Sequence, residues 1–428
     1  MRIFATFFSN VSLLKFLDSY LLANYLFSRQ YSLSSYQHRQ LKKQPNMSQD
    51  LPAPSPATSR VLILSMRNFE SWAARSFLFE FEYALGDFEQ VDICSPSFSP
   101  TVLSKLTRNI SRSSFNATGK TVSISSTANQ FSLDKEYDLF IFACQFPAEL
   151  YYLDSIKDWR KKCHKAVCWL DEVWIKEVDS LKIQLTALKQ FDHVFMNMSF
   201  SVKQVAEIAQ RPCSYMPPGI DAIKFCPYPL QPQRSIDVCS IGRRPDAVHE
   251  SLLNLAEKTN FFYMYDTLKI SYISNYNSHR SLYRNLIKRS RYFLAYKPKF
   301  DIESLIDTQE ELNVRFFEGA AGGAILLGIP PNCEAFSQNF DWADAVIPLP
   351  IDATNVGEII AHLDSEPERL NKIRTDNIVN SLLRHDWVYR WEKMLAAVDI
   401  PISPGMIERK AKLKELAKIV REQSSNIN

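Results

Sequence analysis

From Ser59 onward, short apolar runs alternate with longer stretches in which apolar residues recur every three or four positions. The short runs are Val61–Ser65, Gln90–Cys94, Tyr137–Ala143, Ala166–Leu170, His193–Asn197 and Ser214–Met216. Each has the length and composition of a buried strand. Helical periodicity marks Ser71–Leu85, Leu150–Cys163, Glu172–Gln190 and Ser199–Gln210. The alternation predicts βα units around a parallel sheet. Residues 99–134 are polar and Ser-rich, and are expected to form an excursion from it.

Residues 217–235 carry five prolines. Proline donates nothing to a ladder and disrupts helix interiors, so this stretch predicts a linker. A second series follows, with strands at Asp237–Ile241, Phe261–Tyr265, Tyr292–Tyr296, Ala324–Leu327 and Ala345–Pro348. Its helices are expected at Asp246–Lys258, His279–Ser290, Leu312–Ala321, Asn355–Asp364 and Glu366–His385, then Asp386–Val398 and Glu408–Gln423. The expected plan is an α/β chain of two Rossmann-like, doubly wound lobes facing a cleft. A first lobe covers 59–216, a linker 217–235, a second lobe 236–383, and helices over 384–428 pack back on the first lobe. Residues 1–58 read as an extension; Met47 opens a polar, Pro-rich lead, and 1–46 read as loosely ordered or as an upstream misread start.

Composition narrows the classes. A length of 428 residues suits two ordinary domains, and 46% hydrophobic with 23% charged residues is globular. A net charge of +3 argues against nucleic-acid binding by bulk charge. The apolar stretch from Ile3 to Leu26 is interrupted by Lys15 and Asp18, so it makes no membrane span. Eight scattered cysteines form no Cys-x-x-Cys pair and suggest reduced thiols in a cytoplasmic protein, with no metal site. The first strand, "RVLILSMRNFES", is followed by no Gly-x-Gly-x-x-Gly, which disfavours a nicotinamide oxidoreductase.

Candidate chemistry concentrates in the second series. In "EELNVRFFEGAAGGAILLG", Glu310 and Glu318 stand eight apart around an expected helix that stops at Gly322-Gly323. Glu310 is placed at the helix entrance, where free N–H groups meet phosphates, and Glu318 on later turns, suited to ribose hydroxyls. Two ordinary surface glutamates would read the same way. In "VCSIGRRPDAVHESLL", Gly242 makes the turn after a strand, and Arg243 and Arg244 stand at the cleft edge. A guanidinium fork suits a departing diphosphate, although a solvated turn is the plain alternative. In the first lobe Asp171 and Glu172 follow a buried strand; Asp171 is a candidate base toward an acceptor hydroxyl or simply a helix cap. His193 reads as a core histidine. The last stretch, "IERKAKLKELAKIVREQ", is a basic amphipathic helix with Ile407, Ala411, Leu413, Leu416 and Ile419 as apolar members, suited to packing or to contact with a membrane surface.

Three of these stretches together resemble the family 4 glycosyltransferases of the two-lobed GT-B type. "FFEGAAGGAILLG" is similar to that family's second-Glu run, and more so to the CgeB/YkvP-like version, where an Arg in the place of Arg315 precedes the Glu. "RHDWVYRWEKML" resembles its His-x-Trp-x-x-Arg box through His385, Trp387 and Arg390, a set whose helical spacing suits packing. "PPGIDAIKFCP" resembles its lobe junction. The Gly-Phe-Gly usual after the first Glu is replaced by Glu311-Leu312-Asn313. The resemblance implies a nucleotide-diphosphate sugar as donor substrate, no cofactor and no metal. It implies donor contacts from Gly242, Arg243, Arg244, Lys297 or Lys299, Arg315 and Glu318, with Glu310 as a catalytic candidate that it supports less firmly than Glu318, and stereochemistry retained. The acceptor is open, as is a non-catalytic nucleotide- or glycan-binding protein on the same frame.

Overall fold

The computed structural model describes residues 59–67, 72–95, 112–119, 131–267, 273, 275–306 and 308–425. The expected extension over 1–58 lies outside them. The first sheet holds β1 (Val61–Leu64), β2 (Val91–Cys94), β3 (Tyr137–Cys144), β4 (Cys163–Leu170), β5 (His193–Met196) and β6 (Cys213–Tyr215). Its strands run parallel in the order β2-β1-β3-β4-β5-β6, with Val61 opposite both Val91 and Leu139. Both faces are covered, as a parallel sheet requires. Val61 and Ile63 pack into one core, Leu62 and Leu64 into the other. The helices α1 (Ser76–Gly86) and α2 (Val202–Ala209) belong to this lobe.

Two expected helices of this lobe take other forms. Leu150–Cys163 is a 3-10 run at Pro147–Ser155 and another at Trp159–Lys162, split by Asp158 at φ 51°, and Cys163 already belongs to β4. Glu172–Gln190 breaks into Ile175–Glu177, Lys182–Leu185 and Thr186–Gln190. Its first residues stay extended because they are tied to the second lobe, as described below. Within the Ser-rich stretch, residues 112–118 are helical.

The second lobe runs β7 (Ile236–Ser240), α3 (Asp246–Lys258), β8 (Tyr263–Tyr265), α4 (Tyr276–Lys288), β9 (Ser290–Leu294), α5 (Val314–Ala321), β10 (Ile325–Gly328), α6 (Glu334–Asn339), β11 (Ile347–Pro348), α7 (Val356–Asp364) and α8 (Pro367–Asn380). The strands are again parallel, ordered β11-β10-β9-β7-β8. The helix α3 spans its expected bounds, with Asp246 in the first turn and Lys258 in the last, each complementing the helix dipole. Gly319 lets α5 lie close on the sheet: a Cβ there would come within 2.4 Å of Leu326 and 2.7 Å of Phe293.

The chain then returns to the first lobe through α9 (Trp387–Ala396) and α10 (Pro404–Ser425). The Trp387 ring lies 5.2 Å from Phe81 and 5.5 Å from Trp169, and its Nε1–H donates to Glu80 at 3.2 Å. Trp391 donates likewise to Glu89. Arg409 of α10 joins two buried carboxylates, Asp386 at 2.7 Å and Asp221 at 2.9 Å. The buried stripe of α10 is Met406, Arg409, Leu413, Ala417 and Val420, so Ile407 and Ala411 face outward instead of inward. Among the described residues no helix is long and apolar enough to cross a membrane.

Both sheets reverse direction of growth once, between β1 and β3 and between β7 and β9. Ligands in such sheets bind beyond the carboxyl ends of strands at these switch points. The carboxyl-end loops of the two sheets meet each other, which makes the chain the two-lobed GT-B arrangement expected from its sequence.

Candidate functional site

The second sheet's switch point is built around Gly242. The residue follows β7 at φ +82°, and its amide donates to Asp266 Oδ1 at 2.8 Å. Only glycine takes that conformation cheaply. A Cβ at Gly242 would also stand 2.2 Å from Nη2 of Arg315, so the turn and the start of α5 abut. Arg315 donates to the carbonyl of Ile241. Arg244 holds Asp266 at 2.7 Å with its guanidinium 5.3 Å from the Tyr265 ring. Arg243 points to the half-exposed Asp301 at 2.6 Å. After β9, Lys297 pairs with Glu310, whose other oxygen accepts from the Asn332 amide at 3.2 Å. Of these four cations, Arg243, Arg244 and Lys297 each face a carboxylate of the chain. Arg315 faces a carbonyl, which neutralises nothing.

Glu310 does not open the helix as its spacing suggests. Asn313 caps α5, its side chain accepting from the Arg315 amide at 3.2 Å, so Glu310 stands in the loop before it. Glu318 lies one turn beyond Arg315 but is 3% exposed. Its oxygens are taken by Arg280 at 2.5 Å and the Tyr283 hydroxyl at 2.7 Å. Arg280 also pairs with Glu80 of α1 at 2.8 Å, so the acid belongs to a buried network joining the lobes. Burial opposes the Arg280 charge, yet Glu80 and Glu318 outweigh it and hold its pKa up.

The first lobe presents Asp171 at the end of β4. Its amide donates to the Cys144 carbonyl, and its Oδ1 accepts from Asn197 Nδ2 at 2.7 Å. Burial, reinforced by the neighbouring Glu172 charge, pushes its pKa up to about 7. A carboxyl poised near neutrality can hold or release a proton there. Glu172 pairs across the cleft with Lys299, whose ammonium lies 5.1 Å from the Trp174 ring.

Further ties cross between the lobes beside it. The Ile175 amide donates to Gln309 at 2.9 Å. Glu311 accepts from the Ser199 amide at 2.9 Å, the Ser199 hydroxyl at 3.1 Å and the Phe200 amide at 3.1 Å. Trp174, Met198 and Ile306 form a small apolar cluster next to these bonds. Sequence reasoning passed over Glu311, Asp266 and Arg280. Asp266 stands just past β8 and was open to discovery by the strand-end rule. Arg280 and Glu311 carry no local signal; their first-lobe partners are 200 and 112 positions away.

The box residues pack: His385, Trp387 and Arg390 are buried, and Arg390 donates to the carbonyls of Pro217 and Pro218. All eight cysteines are free thiols, six of them buried. A depression of about 520 Å³ lined by Arg60, Phe88, Glu89 and Ser403 lies at the amino ends of β1 and β2, on the opposite edge from this chemistry.

Residues 263–396, from β8 to the last turn of α9, match the family model described as glycosyl transferase-like. The segment includes Lys297, Glu310, Arg315 and Glu318 and stops short of Gly242–Arg244. No curated protein sequence matches the chain. Among solved structures, the chain is similar to an α-glucosyltransferase in complex with UDP and DNA, at 12% identity and a TM-score of 0.47, over 79% of this chain and 99% of that one. It is similar to HepE from Anabaena in complex with UDP-glucose, at 10% identity and a TM-score of 0.47, over 79% and 99%. It is also similar to TarM, at 10% identity and a TM-score of 0.39, over 60% and 54%. The architecture rests on the two sheets themselves rather than on these likenesses. The chain carries a glycosyl transferase-like segment on a two-lobed, parallel α/β frame.

Proposed function

We propose that the protein is a metal-independent glycosyltransferase taking its sugar from a nucleotide-diphosphate sugar held by the second lobe. One observation carries the reading: the Arg315 guanidinium, with a carbonyl and no carboxylate as partner among the described residues, lies against the left-handed turn at Gly242 on the switch point of the second sheet. A diphosphate laid on that turn meets a fork of donors and a positive charge that stabilises it as a leaving group. Arg243, Arg244 and Lys297 supply further charge once their internal carboxylates yield, and Glu310 stands beside Lys297 toward the sugar. Arg315 three residues ahead of Glu318 supports the CgeB/YkvP-like grouping.

In transfer, the bond from the anomeric carbon to the phosphate oxygen breaks and one to the acceptor oxygen forms. With retention, the leaving phosphate takes the acceptor proton. With inversion, Asp171 takes it. The test is thermal stabilisation by a panel of nucleoside diphosphates, led by those of uridine and guanosine. A ligand at 100 times its dissociation constant adds about 2.7 kcal/mol. Stabilisation that disappears in Arg315→Gln supports the reading, and a flat panel ends it.

A second reading, a binding protein without catalysis, has one observation behind it. Both Glu318 oxygens are engaged by Arg280 and Tyr283. Nucleotide binding without donor hydrolysis or transfer would favour it.

A further inference from the structure

The first sheet has its own switch point, between β1 and β3, and two buried arginines stand there. Arg67 follows β1 and is 5% exposed; Arg75 immediately precedes α1 and is 3% exposed. Each is anchored by one acid. Arg67 Nε holds Glu82 at 2.7 Å while its guanidinium carbon lies over the Tyr83 ring, 3.8 Å from the centroid. Arg75 Nη2 holds Glu149, the acid that also accepts from the amides of Gln145 and Phe146 after β3. The charges of both arginines act on Glu82, and that of Arg75 reaches Asp171.

Three guanidinium nitrogens are left over. Nη1 and Nη2 of Arg67 and Nη1 of Arg75 are buried and meet no acceptor among the described residues. A buried donor without a partner is costly, and a hydrogen bond to a charged group recovers that cost. Arginines needed only to neutralise Glu82 and Glu149 would gain by spending these nitrogens on nearby carbonyls, as Arg390 does with Pro217 and Pro218. Instead Glu82 and the Tyr83 face hold the Arg67 fork, and Glu149 holds that of Arg75, each with nitrogens left free.

We infer that Arg67 and Arg75 form an oxyanion subsite for the acceptor, receiving a carboxylate or a phosphate at the β1/β3 switch point. The inference rests on the glycosyltransferase reading and names the acceptor's chemical class. Neighbouring strands are about 4.8 Å apart, so one to two strand spacings separate this subsite from Asp171 at the end of β4. Roughly 5–10 Å is the span of a single hexose, with its anion on the arginines and a hydroxyl toward Asp171.

The experiment titrates the full-length protein with glucose, glucuronic acid and glucose 6-phosphate, followed by calorimetry. At least one anionic sugar is expected to bind about tenfold or more tightly than glucose, and which one identifies the anion as carboxylate or phosphate. Arg67→Gln and Arg75→Gln should each abolish the preference while leaving nucleoside-diphosphate stabilisation intact. Should either variant fail to fold, Arg67→Lys and Arg75→Lys retain the charge, lose the fork, and should lose most of the preference. Equal affinities, no binding by any probe, or a preference untouched by both substitutions overturns the inference. Loss of nucleotide binding in the wild type would instead strike at the donor reading, so the two failures are distinct.

Discussion

The carboxylate of Glu311, on the second lobe, accepts both the amide and the hydroxyl of Ser199 on the first, at 2.9 and 3.1 Å. It is 1% exposed, and Gln309 Nε2 donates to its remaining oxygen at 2.8 Å. A side chain at the place where relatives by resemblance carry Gly-Phe-Gly thus holds the two lobes in one relation. Burial raises its pKa and these donors pull it back.

Replacing Glu311 by Ala leaves the amides of Ser199 and Phe200 without acceptors. A loss of about 1–3 kcal/mol in denaturant unfolding is expected. Hydrogen exchange at those two amides should accelerate in Glu311→Ala. Unchanged protection there would show that the bonds do not hold the lobes.

Gly242→Ala combines an unfavourable positive φ with a Cβ that meets Arg315. A stability loss of about 1–3 kcal/mol follows from the strain. Displacing Arg315 should also reduce nucleotide affinity by about tenfold or more, read as a smaller thermal shift.

Asp171 gives a pH signature. Its folded pKa of about 7 lies above the ordinary carboxylate value, so between the two the folded chain retains a proton that the unfolded chain releases. The side chain therefore lowers stability as pH rises from about 4 to 7. Asp171→Asn should be more stable than wild type at pH 8, by on the order of 1–4 kcal/mol, with the difference vanishing near pH 4. Paired unfolding curves at the two pH values measure this. Full transfer by Asp171→Asn would assign the proton to the leaving phosphate.

Glu318 separates structure from chemistry. Glu318→Ala deprives the buried Arg280 of one of its two acids and should cost about 3–5 kcal/mol of stability. Glu318→Gln keeps an acceptor for Tyr283 and should cost less. A nucleotide shift reduced in Glu318→Gln beyond its change in melting would support ribose contact; an intact shift would confine the residue to joining the lobes.

The lobes were legible because strands such as Val61–Leu64 and helices such as Asp246–Lys258 carry their periodicity locally. The segment after Asp171 misled for a tertiary reason. Its composition is helical, but the Glu172 side chain and the Ile175 amide are held by Lys299 and Gln309 from the other lobe, and a helix forms only from Ile175 on, in short pieces. The site was half visible. Gly242, Arg244 and Arg315 fall together as strand-end rules suggest, whereas the spacing that picked out Glu310 had no means of distinguishing it from Glu311 next door. Glu318 was singled out for ribose, and nothing in its neighbourhood along the chain announced Arg280 and Tyr283.

The placement of Arg409 bears on how the protein is made. Asp221 and Asp386 are buried acids that depend on it, and Glu80 and Glu89 of the first lobe take donors from Trp387 and Trp391. On the ribosome, where chains emerge at about 5–20 residues per second, Glu80 and Glu89 wait for the whole second lobe before the indoles of Trp387 and Trp391 reach them. A nascent chain halted before α9 should therefore expose its first lobe to proteases, while one released after α10 should not.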